Sequence, residues 1–280
     1  IMLQILKLIE PYPLKKWGHN SAKSVHVISQ AMSLAYADRA EWLGDSDFVT
    51  VPTKNLLSKN YIRKRRKLIS HQRHRPSKSI TNGQPYESNE TTHFSVVDKW
   101  GNAVSATVTL NFSYGSGLAV PGTGVLLNNE MDDFSAKPGV PNAYGLIGNK
   151  KNEIAPNKRM LSSMSPSIVL KDQSVFLVTG SPGGSRIITT VTQLISNVID
   201  YDMNIAEASH AARFHHQWQP DELRIERYGF SQDTIDKLTS MHHKIVEKRA
   251  MGSTQSILRM DNYLYGSSDP RKPSARTIGY

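Results

Sequence analysis

The chain is 280 residues long, 38% hydrophobic and 21% charged, with a formal net charge of +10 and no cysteine. That length can bury a real core, as one large domain or two small ones. The lack of cysteine excludes a disulfide framework, thiol catalysis and thiolate-bound metal, and no apolar run reaches the length of a membrane span.

The charge is unevenly placed. Residues 1–90 hold 15 Lys+Arg against 7 Asp+Glu, whereas residues 91–280 hold 19 against 17. The first residues space Ile1, Leu3, Ile5, Leu6, Leu8 and Ile9 as a helix does. They lack the basic start and small-residue cleavage site of a signal peptide. With no starting Met, the chain is expected to begin inside a larger protein. Glu10-Pro11-Tyr12-Pro13 should break the first helix. Ser24 is the expected cap of a second, with Val27, Ile28, Met32, Ala35 and Tyr36 on its inner side. Residues 48–90 are polar and aperiodic and read mostly as loop. They include KNYIRKRRKLISHQRHRPSK, and no acid falls between Phe48 and Tyr86. Such a run is either a solvated loop or a patch for an anionic partner. There is no zinc spacing and no RNA-recognition motif, so the expectation is a solvated loop without a nucleic-acid partner.

At Thr91 the texture changes. HFSVVD and AVSATVTLN flank Lys99-Trp100-Gly101-Asn102 and predict a β-hairpin. Alternation puts Val104, Ala106, Val108 and Leu110 on one face, and Ser105, Thr107, Thr109 and Asn111 on the other. A polar face this regular is either solvent-facing or the floor of a site. Residues 112–163 are rich in Gly, Asn and Pro and long for a loop. SPSIVLKDQSVFLVTG predicts a second hairpin turning at Asp172-Gln173, followed by Ser181-Pro182-Gly183-Gly184-Ser185 and a helix with Ile187, Ile188, Val191, Leu194, Ile195 and Val198 on one stripe. A helix after Asn204, a strand at Leu223–Glu226, a helix after Ser231 and a hairpin in SILRMDNYLYG complete the chain. Strands in antiparallel hairpins and helices in blocks predict an α+β class, with sheets covered by helices.

Several residue groups can carry chemistry. A threonine hydroxyl becomes nucleophilic when a base takes its proton, and the residue's own α-amine can be that base if the threonine is N-terminal. Thr91 would need the Glu90–Thr91 bond cut; otherwise Thr91-Thr92 is a pair of good strand formers. Gly183 and Gly184, between a strand and a helix, can expose N–H groups to an oxyanion or a phosphate, or simply form a tight turn. Glu130, Asp132 and Asp133 in LLNNEMDDFS can bind a substrate ammonium, act as acid and base, or stay solvated. No histidine sits near them at ligand spacing, so no metal is expected. Ser162 and Ser163 can donate to a carboxylate or cap a turn. His93, His215 and His216 come without a Gly-x-Ser-x-Gly elbow and read as packed or surface histidines.

Taken together, YESNETTHFSVVD, VTLN, LLNNEMDDFSAKPGVPNAYGL, NKRMLSSMSPSIV, VTGSPGGSRIITTV, ARFHHQW, PDELRIE, MGSTQSI and YGSSDPR resemble the γ-glutamyltranspeptidase (glutathione hydrolase) family, in the family's order. AYADRAEWLGDSDFV resembles the end of its large subunit. The resemblance implies an N-terminal-nucleophile hydrolase with an αββα sandwich, residues 1–90 as large-subunit tail and 91–280 as small subunit. It implies self-cleavage at Glu90–Thr91, with Thr91 then attacking the γ-glutamyl amide of glutathione or a related compound. Thr109 would hydrogen-bond the nucleophile, and Gly183 and Gly184 would form the oxyanion hole. Asn111, Glu130 and Asp133 would hold the α-ammonium, Ser162 and Ser163 the α-carboxylate, and Tyr144 would sit in a lid loop near 138–149. The implied partners are γ-glutamyl compounds, water or amino-acid acceptors, and the rest of the precursor, which supplies an arginine for the substrate carboxylate. No metal or organic cofactor is implied, and the location is periplasmic or secreted. The competing readings are an inactive fragment of such an enzyme and a cephalosporin-acylase-like amidohydrolase.

Overall fold

A computed structural model describes residues 1–80, 91–261 and 263–279. In chain order the helices and strands are α1 (Met2–Ile9), α2 (Leu14–Trp17), α3 (Ala22–Trp42), α4 (Thr53–Leu56), α5 (Lys59–Arg66), β1 (Thr92–Val97) and β2 (Ala103–Val108). After a long irregular stretch come β3 (Ser167–Lys171), β4 (Ser174–Thr179), α6 (Ile187–Ile199) and α7 (Ile205–His210). The remainder is β5 (Phe214–His215), β6 (Leu223–Glu226), α8 (Gln232–Ser240), β7 (Ile245–Lys248), β8 (Gln255–Met260) and β9 (Tyr263–Ser268). They fall into two units that interleave along the chain. Unit 1 comprises residues 1–87, 130–162 and 212–249, and unit 2 comprises 88–129, 163–211 and 250–280.

Unit 1 is built on α3. This helix is buried on nearly every side, His26, Gln30, Asp38 and Arg39 included, so its polar side chains need partners inside the protein. Its cap is Ser21, three residues before the expected Ser24; Ser24 instead supplies the N–H that Ser21 Oγ accepts. An N-cap must lie outside the helix with extended backbone, and here the helix already runs through Ser24. α1 packs on α3 and α5.

The expected loop over 48–90 is corrected within its described part, because α5 is a helix. It has no apolar stripe to announce it. Ser58 Oγ caps it through the Tyr61 N–H, and tertiary bonds fix it. Arg65 pairs with buried Asp38 and donates to Leu34 O (3.0 Å), while Arg66 Nε donates to Leu8 O (3.0 Å). Four basic residues in its last turn suit the negative end of the helix dipole. Residues 81–90, with the Glu90 side of the expected cleavage bond, lie outside the described residues.

The sheet of unit 1 has the order β5-β6-β7. β5 and β6 are antiparallel, but β6 and β7 are parallel, with α8 between them in sequence. Hairpin signals do not reveal such a crossover.

Unit 2 carries the three expected hairpins. β1 pairs with β2, and a four-stranded sheet has the order β3-β4-β8-β9. The β3–β4 turn falls at Asp172 and Gln173, both with positive φ (50° and 63°). That is the geometry of a two-residue turn matched to strand twist. α6 packs on α7, and α7 on β8 and β9. The β1–β2 hairpin faces the opposite way to a simple amphipathic strand pair. Phe94, Val96, Val104 and Val108 are exposed, while His93 and Val97 are buried. Its polar face packs inward and its apolar face is open.

Candidate active site

Thr91 directly precedes β1. The register pairs Thr92 with Val108 and His93 with Thr107, so one step further sets Thr91 opposite Thr109. Thr91 Oγ1 donates to Thr109 Oγ1 at 3.3 Å, and Thr109 Oγ1 also accepts the Asn111 N–H at 2.8 Å. Two donors thus converge on one hydroxyl oxygen. Asn111 is buried with φ of 72°, a left-handed conformation that Asn tolerates better than most residues. Its Nδ2 donates to Asn129 O (3.1 Å), and Asn129 Oδ1 accepts the Phe112 N–H (3.0 Å).

The rest of this inward face is a ladder of neutral groups. His93 Nδ1 contacts Thr107 Oγ1 (2.8 Å) and Nε2 contacts Ser95 Oγ (3.1 Å). Ser95 Oγ donates to Gln255 O (2.8 Å), so it accepts from Nε2–H and leaves Nδ1 to accept from Thr107. Burial pushes His93 down to about 4. A neutral ring with both nitrogens engaged is a structural strut. It also explains Gly180, where a Cβ would lie 2.2 Å from the His93 ring.

Gly183 and Gly184 follow β4. Their φ values of 136° and 54° are left-handed, and they open a 3-10 turn, Gly184–Arg186, that runs into α6. Gly183 O accepts the Arg186 N–H (3.1 Å), and a Cβ on Gly183 would lie 3.3 Å from Gly252 Cα. The helix begins at Ile187, so the glycines sit one turn ahead of its N-terminus. Ser163, also in unit 2, is buried.

The other predicted residues belong to unit 1. Glu130 and Asp133 bracket one 3-10 turn, Glu130–Asp133. Burial pushes Asp133 up to about 7. The Arg39 guanidinium pulls it down, while Glu130 and Asp132 push it further up. Burial also raises Glu130. Acids crowded in this way gain most from an added cation. Asn152 braces the turn: its Nδ2 donates to Asp133 O (2.8 Å) and its Oδ1 accepts the Leu161 N–H (3.1 Å), one residue before exposed Ser162. Asp132 pins the following loop by accepting the Ala143 N–H. Tyr144 is buried, its N–H donating to Asn142 Oδ1 and its carbonyl accepting from Gln217 Nε2 (2.9 Å). Sequence reading missed Arg39 and Asn152; nothing local marks either.

The other two histidines singled out in the sequence, His215 and His216, are packed. His215 Nε2 contacts Gln217 Oε1 (2.8 Å), and its ring stands edge-on to Tyr36. His216 accepts the Trp218 N–H on Nδ1 and contacts Asp221 through Nε2.

The sequence model of γ-glutamyltranspeptidase matches residues 1–278. The chain belongs to the γ-glutamyltranspeptidase family. It is 55% identical over 282 aligned residues to the glutathione hydrolase proenzyme of Escherichia coli K12, covering all of this chain but 48% of that protein. The chain therefore spans about half the length of the curated relatives it matches. Among solved structures, an acivicin-inhibited γ-glutamyltranspeptidase is 62% identical with a TM-score of 0.64, over 65% of this chain and 98% of that one. A cephalosporin acylase from Bacillus halodurans is 26% identical with a TM-score of 0.79, over 96% of this chain and 47% of that one. The fold class is α+β, and the fold is that of the N-terminal-nucleophile hydrolases. Among the described residues, no helix is long and apolar enough to cross a membrane.

Proposed function

We propose that this chain is the C-terminal part of a self-cleaving γ-glutamyltransferase and glutathione hydrolase, with Thr91 as nucleophile. The observation that carries the reading is the Thr91–Thr109 hydroxyl contact, with Thr109 itself held by the Asn111 N–H. In the first step Thr91 Oγ1 attacks the Glu90 carbonyl. The amide nitrogen leaves as the free α-amine of Thr91, and water hydrolyses the resulting ester. In catalysis that α-amine takes the Thr91 hydroxyl proton. The oxygen attacks the γ-glutamyl carbonyl, and the protonated leaving amine departs. Water or an amino acid then takes the acyl group from Thr91. Thr109 orients the hydroxyl, and the N–H groups of Gly183 and Gly184 stabilise the oxyanion.

Asn111, Glu130 and Asp133 bind the substrate ammonium, and Ser162 and Ser163 its carboxylate, with Tyr144 in the covering loop. The raised carboxyls support this role, because a bound ammonium supplies the charge they lack. Chain lengths support the cleavage site. Residues 91–280 are 190 of 280, about two-thirds, and the acivicin-inhibited enzyme's chain aligns almost whole with 65% of this one. We assign the open apolar face of β1–β2 to the partner half of the precursor, and the location to the periplasm or exterior. Residues 91–280 are the small subunit and residues 1–90 the tail of the large one. The amino-acid head-group set ranks the acylase reading second.

The test is intact-mass spectrometry of the purified chain on incubation, followed by an assay with a γ-glutamyl anilide. Fragments of about one-third and two-thirds of the mass, the larger starting at Thr91, are expected, and Thr91→Ala should stay whole. A Thr91→Ala chain that split at the same bond would remove Thr91 from its role. An uncut, inactive wild type would sink the claim that this chain is an enzyme by itself.

A further inference from the structure

Unit 1 closes around a knot of imidazoles that the proposed chemistry does not use. His74 Nε2 lies 2.7 Å from Asp221 Oδ1, and His216 Nε2 lies 3.3 Å from the same oxygen. One donor atom from each of the three residues lies within 4.8 Å of the other two. His74 and His216 are 5% and 1% exposed. The Asp221 side chain is 29% exposed, which leaves the knot open on that side.

The neighbouring polar groups orient the three rather than saturate them. Ser77 fixes the carboxylate, its N–H on Oδ2 (2.9 Å) and its hydroxyl on Oδ1 (2.8 Å). His74 Nδ1 is buried with no hydrogen-bond partner. His243 Nδ1 is likewise unpartnered; its ring stacks on His74 with centroids 4.7 Å apart, and its Nε2 meets His26 Nδ1 at 2.7 Å. Unpartnered buried nitrogens are rare in folded proteins and require a physical reason.

We propose that His74, His216 and Asp221 form a binding site for one divalent transition cation of the zinc class. Two imidazole nitrogens and a carboxylate oxygen suit Zn²⁺, Co²⁺ or Ni²⁺, and three protein ligands leave a fourth position for water. Bonds of about 2.0–2.2 Å in a tetrahedron set donor atoms roughly 3.3–3.6 Å apart. The observed 2.7 and 3.3 Å separations need only a small opening. The protons balance without release to solvent. In the metal-free knot both rings carry the proton on Nε2 and donate to Asp221. The cation takes the Nε2 lone pairs, and each ring re-forms as the Nδ1–H tautomer. His74 has an unengaged Nδ1 for that proton. His216 accepts it by giving up the Trp218 N–H bond of 3.1 Å. The bound ion would tie residue 74 to residue 221 across 147 positions of sequence, so it should stabilise unit 1 by mass action.

The test uses the untagged full chain, stripped with chelator and titrated with Co²⁺ and then Zn²⁺, read by visible absorption, calorimetry and melting temperature. One equivalent of Co²⁺ with tetrahedral d–d bands is expected, displaced by Zn²⁺, with a rise in melting temperature. His74→Gln and Asp221→Asn, checked for fold by circular dichroism, should each weaken binding at least about tenfold. His243→Gln should leave stoichiometry and affinity unchanged. X-ray absorption of the Zn²⁺-loaded wild type gives a readout that needs no variant. Two imidazole shells at about 2.0–2.1 Å support the site. An all-oxygen shell, no stoichiometric Co²⁺ binding, or undiminished binding in a folded His74→Gln chain would overturn it.

Discussion

In unit 2, Thr91 and Thr109 stand at the end of a ladder of uncharged groups (Ser95, His93, Thr107, Ser105), whereas in unit 1 Glu130 and Asp133 stand among other charges. The ladder is satisfied internally. Each hydroxyl has a fixed donor or acceptor, and burial keeps His93 neutral. The acidic turn is braced through its backbone by Asn152, yet its carboxyls crowd one another. A satisfied neutral network fixes where an oxygen points and responds little to pH. Crowded, half-buried acids respond strongly to pH and to any cation. Under the proposed function, Thr91 and Thr109 of unit 2 should govern the chemical step, and the acidic turn of unit 1 the pH dependence of substrate affinity.

Variants can break that division. The largest effect is expected from Thr91→Ala, which should lower γ-glutamyl transfer on the order of 10⁴-fold or more, as loss of a nucleophile does. Next comes Asp133→Asn. Loss of a hydrogen bond to a charged group costs about 1.5–3 kcal/mol, so KM for a γ-glutamyl donor should rise roughly ten- to a hundredfold with kcat nearly unchanged. In the wild type KM should climb as pH falls through about 7, because protonated Asp133 cannot hold an ammonium; in Asp133→Asn that climb should flatten. The stability linkage has its own sign. Asp133 binds its proton more tightly folded than unfolded, so its contribution favours the fold at low pH and is lost as pH rises from the ordinary 3.8 to about 7. Denaturant melts at pH 5 and pH 8 should show that loss in the wild type and not in Asp133→Asn. Thr109→Ala should reduce kcat about tenfold with little change in KM, and Thr109→Ser should restore it. A Thr109→Ala chain whose KM moved while kcat held would contradict the division. The smallest effect is on stability alone: Gly180→Ala forces a Cβ against the His93 ring, and overpacking of this kind costs about 1–3 kcal/mol, measurable as a lower denaturation midpoint.

Much of unit 2 was legible because its signals are local. Alternation marked β1 and β2, Asp172-Gln173 marked a turn, and the apolar stripe from Ile187 to Val198 marked α6. The alternation did not say which face turns inward, because hydrophobicity alone points Phe94 and Val104 to the core. The hydroxyl face packs instead, since Ser105 donates to Thr179 O and accepts from the Ser167 N–H. α5 is not legible because Asp38 and the helix carbonyl groups of Lys7, Leu8 and Leu34 hold it rather than an apolar stripe. The site residues came from resemblance, as each motif alone is ambiguous. The environment of Asp133 could not be read at all, because Arg39 lies 94 positions away in sequence. The His74–His216–Asp221 knot escaped for the same reason. His74 and Asp221 are 147 positions apart, so these side chains share no ligand spacing in the sequence and converge only in the fold.

In the proposed function Thr91 Oγ1 carries the acyl group. The direct measurement is acid-quenched intact-mass spectrometry of the chain mixed with a γ-glutamyl donor, followed by peptide mapping. With Thr91 as nucleophile, the fragment beginning at Thr91 gains the mass of one γ-glutamyl group, located on Thr91 and lost on adding an amino-acid acceptor. Donor turnover with no such adduct, or with the group mapped to another residue, would contradict it.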